Sequence, residues 1–154
     1  TRLRAPRRRA GQKAPPRLLV ARRGSPATAD ALIAEKHDCL LLRYPGSKEY
    51  YWTLVTAEGV RKFEVAGPYD SDDGDVLTQW ALEDRGIINK PRFEVEPFIR
   101  DRRLKVILTQ TPPTPVQFAA VYPHKKLQDP KVRLLLDFMA ERCQRLIKDI
   151  LAGK

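Results

Sequence analysis

Residues 38–44 read Asp-Cys-Leu-Leu-Leu-Arg-Tyr, and Pro45-Gly46 ends this apolar run at once. A short continuous apolar run, as opposed to an alternating one, is typical of a strand that is covered on both faces. We therefore predict a strand over residues 38–44, with other elements packed against both of its faces.

The residues that follow predict a hairpin and then a helix. Residues 50–55 and 60–65 are rich in aromatic and β-branched residues, and the second run alternates apolar with polar positions. This pattern favours an antiparallel hairpin with one solvated face. The acidic stretch 70–75 precedes a helical pattern that Gly86 ends. The predicted apolar stripe of that helix is Val76, Leu77, Trp80 and Ala81.

Strands and helices alternate along the rest of the chain. Ser25-Pro26 begins a short predicted helix that runs to Ala34, and Asp129-Pro130 begins a long one that ends near Ala152. The remaining predicted elements are strands over 86–88, 104–108 and 116–122 and an amphipathic segment over 93–98. This alternation predicts an α/β fold.

The net charge of +10 is carried by the first residues of the chain. Residues 1–23 contain nine basic groups and no acid, whereas residues 24–154 contain 20 basic groups and 19 acids. Two interpretations of residues 1–23 stay open: a basic arm that binds nucleic acid, or a Pro- and Arg-rich disordered tail. Because the first residue is Thr, either an initiator Met was removed or the chain begins inside a longer protein.

No arrangement in the sequence favours catalysis or metal binding. His37 and His124 have no second ligand at zinc spacing. A calcium loop that began at Asp70 would have Asp75 at the position of the required Gly and Ala81 at the position of the required Glu. Cys39 and Cys143 lie in apolar contexts that predict buried, reduced thiols. Because the sequence has no membrane span and no secretory segment, we expect a cytoplasmic protein. Because it has no catalytic or metal-binding arrangement, we expect that it is not an enzyme and has no cofactor.

A small-molecule site is the more promising interpretation. Backbone N–H groups at the start of the helix that begins at Gly74 are available to a ligand. The neighbouring acids at positions 70, 72, 73 and 75 would repel a carboxylate, unless a cation such as Lys90 or Arg92 lies close. Ordinary helix capping is the alternative.

The ordered set of segments resembles the effector-binding domain of LysR-type transcriptional regulators, from about Gly24 to Ala152. The segments are Asp38-Cys39-Leu40-Leu41-Leu42, Trp52-Thr53-Leu54, Gly67-Pro68, Asp73-Gly74-Asp75-Val76-Leu77, Ala81-Leu82, Gly86-Ile87-Ile88, Leu104 to Leu108, Val116 to Pro123, Lys131-Val132-Arg133 and Leu136-Asp137-Phe138-Met139.

The resemblance implies a periplasmic-binding-protein-like fold with two lobes and a small-molecule effector in the cleft between them. Residues 24–108 would form a complete second lobe, and residues 109–154 would return to the first lobe as a Pro-rich crossover, a strand and a helix. Residues 1–23 would be the disordered tail. The positions that match the family's effector contacts are Asp73, Gly74, Asp75, Asn89, Lys90 and Pro91, and Pro112, Pro113 and Pro115 would lie near the hinge.

The sequence departs from the family pattern at its beginning. It contains no winged helix-turn-helix domain and little of the first lobe, and residues 1–23 do not match the strand that should lead into the second lobe. A truncation or a shifted reading frame would explain this. We expect DNA contact only through the missing domain, a homo-oligomer in the intact regulator, and weak effector binding by this chain alone.

Overall fold

The structure is a computed structural model that describes residues 16–24, 26, 28–35, 37–44, 50–115 and 129–152. The chain divides into two compact units, one formed by Pro16–Val116 and one that contains the C-terminal helix. The predicted strand over 116–122 and residues 1–15 lie outside the described residues. Among the described residues, no helix is both long enough and apolar enough to cross a bilayer.

The elements follow one another in mixed order, as an α/β fold requires. They are β1 (Arg17–Ala21), α1 (Ala29–Ala34), β2 (Leu41–Leu42), β3 (Tyr51–Thr56), β4 (Gly59–Glu64), β5 (Asp70–Ser71), α2 (Gly74–Leu82), β6 (Ile88–Pro91), α3 (Arg92–Arg100), β7 (Lys105–Ile107) and α4 (Pro130–Ala152).

Strand β1 is the centre of a three-stranded antiparallel sheet with the order β6-β1-β7. Leu19, Val20 and Ala21 are buried, with at most 2% of their surface exposed. The prediction that residues 1–23 form a disordered tail is therefore wrong for Arg17–Ala21. The high basic content of this region obscured an apolar segment that is stabilised by pairing with strands about 70 and 86 residues further along the chain.

The apolar run at 38–44 is covered on both faces, as predicted, although only Leu41 and Leu42 form a regular strand. Its N–H groups alternate between two neighbours: Cys39 donates to Ala66 O at 3.1 Å and Leu40 donates to Ile87 O at 2.8 Å. The side chains alternate in the same way. Cys39 and Leu41 pack into the cluster below the β3–β4 hairpin, and Leu40 packs into the cluster around α2 and α3.

The hairpin and α2 also form where the sequence predicts them. Strands β3 and β4 pair in the register Tyr51↔Glu64 to Thr56↔Gly59. Trp52, Leu54 and Phe63 face the core, while most of the alternate positions are exposed. Helix α2 buries Leu77, Thr78, Ala81 and Leu82, a stripe that is rotated slightly from the predicted one.

Two helices differ from the prediction in detail. Helix α1 begins at Ala29, not at Pro26, because the Thr28 hydroxyl caps it by accepting a hydrogen bond from Ala31 N at 3.0 Å. Helix α4 has the predicted bounds, but every one of its residues is at least partly exposed, Phe138 at 60%. Cys143 is therefore not the buried thiol that the apolar stripe suggested, whereas Cys39 is buried as predicted.

We predict that Gly67→Ala destabilises the Pro16–Val116 unit by about 3 kcal/mol or more, because of steric overlap. A Cβ atom at this position would lie 1.9 Å from the backbone oxygen of Cys39. Urea denaturation measures the loss in the free energy of unfolding.

Gly24→Ala is the matched control. Gly24 has a φ of +66° but open space around its Cα, so Ala there should cost only about 1 kcal/mol through backbone strain. Equal losses in the two variants would contradict the steric argument.

Candidate functional site

A pocket of about 250 Å³ opens at the edge of the unit where β1 begins. Strand β1 provides Arg17, β6 provides Asn89, and the segment before the hairpin provides aromatic rings. Four aromatic side chains line it: Tyr44, Tyr50, Tyr51 and Trp52. A concavity that combines aromatic rings with a few convergent polar groups is typical of a small-molecule site.

Arg17 and Asn89 are brought together by the pairing of β1 with β6, which places Arg17 opposite Pro91 and Leu19 opposite Asn89. The Arg17 guanidinium donates from Nη2 to Asn89 O at 3.0 Å. Burial lowers the pKa of Arg17, an effect that Tyr44 and Glu94 oppose. An arginine side chain nevertheless keeps its charge in a protein, so the pocket contains a partly buried cation.

Two of the residues that line this pocket each have a buried polar atom without a hydrogen-bond partner among the described residues. The atoms are Arg17 Nε, a donor, and Asn89 Oδ1, an acceptor. Asn89 itself is only 9% exposed. A buried polar atom without a partner costs about 1–3 kcal/mol, so a ligand that satisfies both atoms would recover this energy on binding.

Asp70, which contacts the pocket residue Tyr50, already has a cationic partner. Asp70 Oδ2 accepts hydrogen bonds from Arg43 Nε at 2.7 Å and from the Tyr50 hydroxyl at 2.8 Å. These bonds, the one from Arg43 first, lower the pKa of Asp70. The repulsion that the sequence suggested between a carboxylate ligand and Asp70 is therefore reduced by its own partners.

The predicted positions at the start of α2 lie beside Lys90. Asp73 caps the helix by accepting from Asp75 N at 2.8 Å, and both acids are exposed. Lys90 is 5% exposed, and its Nζ lies 2.6 Å from where a Cβ would stand at Gly74. Lys90 also forms an ion pair with Glu94. The predicted cation near these acids is thus Lys90, whereas Arg92 bonds to Glu96 instead.

Of the six predicted effector positions, only Asn89 lines this pocket, and the other five lie beside it in the sequence or at the start of α2. Lys90 contacts Gly74 at the start of α2 with Asp73 and Asp75 alongside. Pro91 pairs with Arg17 and precedes α3. Sequence reasoning missed Arg17, which it assigned to the tail. Its one sequence signal was an arginine directly before the apolar residues Leu18-Leu19-Val20.

Other chemistry finds no support in the described part of the chain. No group of three His, Cys, Asp or Glu side chains there could hold a metal ion. Burial, and then the nearby Asp38, raise the pKa of the Cys39 thiol to about 12. A thiol with such a pKa is a poor nucleophile at neutral pH.

The sequence matches the family described as the LysR substrate binding domain over residues 14–144. The chain belongs to this family. The matched range includes β1, whereas the resemblance described from the sequence begins only at about Gly24.

The relatives are transcriptional regulators. The chain is 28% identical to the HTH-type transcriptional activator TtdR of Escherichia coli over 110 residues, which cover 71% of this chain and 35% of that protein. It is 30% identical to the HTH-type transcriptional regulator CrgA of Neisseria meningitidis over 123 residues, or 79% of this chain and 40% of CrgA. The chain thus spans well under half of the length of these relatives.

The fold is also that of LysR regulatory domains. The regulatory domain of CrgA from Neisseria meningitidis superimposes with a TM-score of 0.64 at 24% identity, over 91% of this chain and 73% of that one. The expected periplasmic-binding-protein-like fold is confirmed, and the family match supports the regulatory-domain interpretation. The alternative, nucleic-acid binding through residues 1–23, receives no support from these relatives.

We predict that Cys39 resists thiol reagents in the folded protein. In a Cys143→Ser variant, which leaves Cys39 as the only thiol, labelling at about pH 8 should require unfolding. Because the folded-state pKa is raised, the unfolded thiol ionises first, and this group makes folding less stable as pH rises from about 9 to about 12. Rapid labelling without denaturant would contradict the burial of Cys39.

We predict that Asn89→Leu leaves the free energy of unfolding unchanged or raises it by about 1 kcal/mol, because it removes an unpartnered buried acceptor. Thr78→Val is the matched control. The Thr78 hydroxyl is also buried but donates to Gly74 O at 3.0 Å, so its loss should cost about 1 kcal/mol. A clear destabilisation by Asn89→Leu in urea denaturation would show that Asn89 is structural.

Proposed function

We propose that this chain is the effector-sensing part of a LysR-type transcriptional regulator and that the effector binds in the pocket of Arg17 and Asn89. The observation that carries the proposal is the pair of unpartnered polar atoms, Arg17 Nε and Asn89 Oδ1, on two residues that line a pocket whose other lining residues are mainly aromatic and aliphatic. Family membership supports the same role.

The two atoms select the chemistry of the effector. A guanidinium is suited to a carboxylate, which it binds through charge-assisted hydrogen bonds. An amide oxygen requires a donor, such as a hydroxyl group. Aromatic rings accommodate an apolar portion. We therefore propose a small carboxylate that carries a hydroxyl group, held by Arg17 rather than by Lys90, since Lys90 is already paired with Glu94.

The remaining predicted positions support the site in this proposal. Lys90 directly follows Asn89 and holds the start of α2, at Gly74, beside α3. Asp73 caps that helix by accepting from Asp75 N in its first turn, and Pro91 is paired with Arg17 in the strand register. These residues position Asn89 and border the effector without providing its main contacts.

We place the hinge at the end of the Pro-rich connection. Val55 N donates to Pro112 O at 2.9 Å and Thr114 N donates to Thr53 O at 2.9 Å. Pro113 bridges Leu54 between these two bonds. Pro112 and Pro113 are thereby anchored to β3, which leaves Pro115 as the first residue free to act as a hinge.

In the intact regulator, effector binding would alter the arrangement of the two lobes and thereby transcription. The relatives' names describe helix-turn-helix regulators, which supports DNA contact through such a domain. We further propose that the intact regulator is a homo-oligomer in the cytoplasm. In this proposal the domain performs no catalysis.

The proposal is tested by titrating the isotope-labelled full chain with mandelate and with phenylacetate, which differ by one hydroxyl. We expect proton–nitrogen spectra to show shifts at Arg17 Nε–H and at the Asn89 side-chain amide, and tighter binding of mandelate. Arg17→Gln should weaken mandelate about tenfold, the usual value of a charge-assisted bond. Asn89→Leu should abolish the preference for mandelate.

Lys62→Gln is the charge-matched control, since Lys62 is exposed on β4; it should leave both affinities unchanged. Ligand-induced shifts of the Asn89 side-chain amide that persist unchanged in Arg17→Gln, or a preference for mandelate that persists in Asn89→Leu, would overturn the assignment of the pocket. An absence of shifts at these signals at millimolar ligand would overturn the proposed effector class.

A further inference from the structure

A second pocket, of about 400 Å³, lies where β1 ends, and its lining is almost entirely cationic. Arg22 and Arg23 follow β1, Leu82 ends α2, and the others come from the connection between α3 and β7 and from β7 itself. The lining residues are Arg22, Arg23, Leu82, Arg102, Arg103 and Lys105. The role proposed above leaves this pocket unused.

The charges of this basic pocket are only partly compensated. Arg22 donates from Nη1 to Leu82 O at 3.0 Å, and Arg23 Nε lies 3.7 Å from Asp84 Oδ2. The Arg103 guanidinium stands 5.3 Å from the centre of the Phe98 ring. In the described part of the chain, neither Arg102 nor Lys105 lies within ion-pair distance of a carboxylate. The pocket therefore retains a positive charge.

This concentration of charge does not follow from the composition of the unit. Residues 16–116 contain 15 basic and 15 acidic residues, so the unit as a whole is neutral. Like charges placed close together repel one another, an unfavourable term that a bound anion would remove. The charge balance predicted from the sequence thus conceals a basic pocket on a neutral unit.

Arg102 is held in a backbone conformation that arginine disfavours. Its φ is +58°, directly after Asp101, the last capping residue of α3. Such a left-handed position after a helix is usually occupied by glycine, and a side chain there costs about 1–2 kcal/mol. Asp84, which lies two residues after the last residue of α2, and Leu108 also have positive φ values. The turn does not require a side chain at residue 102, so glycine can replace Arg102 without loss of the turn.

We infer that the basic pocket binds a small molecule bearing two or more phosphate groups. Arginines recognise phosphate oxygens through paired hydrogen bonds, and several convergent cations match more than one phosphate. The acids beside the pocket, Glu83, Asp84 and Asp101, disfavour an extended polyanion such as duplex DNA, whose charge would reach past the pocket. A compact ligand avoids them.

The test uses inorganic pyrophosphate, titrated into the full chain by calorimetry at near-physiological salt. We expect binding that Arg102→Gly and Lys105→Gln each weaken about tenfold, while Lys62→Gln changes it less than about twofold. Because Arg102→Gly relieves the left-handed strain, its thermal midpoint should equal or exceed that of the parent. Loss of binding with retained stability would separate recognition from folding.

A competition experiment with duplex DNA distinguishes a compact polyanion from an extended one. We expect a short duplex not to displace pyrophosphate from the parent chain. Absence of pyrophosphate binding, equal binding in the double variant Arg102→Gly/Lys105→Gln, or competitive displacement by the duplex would each overturn the proposal. Because Arg102 and Lys105 do not line the effector pocket, none of these results bears on the effector proposal.

Discussion

The fold depends on one segment, residues 38–43, which forms main-chain hydrogen bonds on both of its edges. Cys39, Leu41 and Arg43 donate to one neighbour, at Ala66, Tyr69 and Ser71, and Leu40 donates to Ile87 on the other side. The alternation of side chains then assigns each residue to one of two clusters. A register shift of one residue would exchange the clusters, so the hairpin and the helices depend on the same alignment.

The neighbouring chain comes so close to residues 38–43 that a glycine is required on each side of this segment. A Cβ at Gly67 would overlap Cys39 O, and one at Gly86 would lie 2.5 Å from Asp38 O. Gly86 also has a φ of +154°, which few side chains tolerate. The glycines that mark turns in the sequence thus also define how closely the chain approaches itself.

The sequence predicts the elements whose signal is local. The hairpin, α2 and the bounds of α4 follow from alternation, capping and helical spacing. Strand β1 escapes prediction because its signal is not local: five residues beside a basic region become a strand only through partners far along the chain. The candidate site divides in the same way. Asn89 is implied by the family resemblance, whereas Arg17 becomes visible only through the register of β1 with β6.

Both pockets lie at the ends of β1, and each contains a feature that folding alone disfavours. At one end Arg17 and Asn89 bury polar atoms without partners, and at the other Arg102 adopts a left-handed conformation among like charges. Local rules are broken most often at functional sites. Because β1 is hydrogen-bonded along both edges, its ends are fixed relative to each other. The two pockets are therefore held in a fixed spatial relation by a single paired strand.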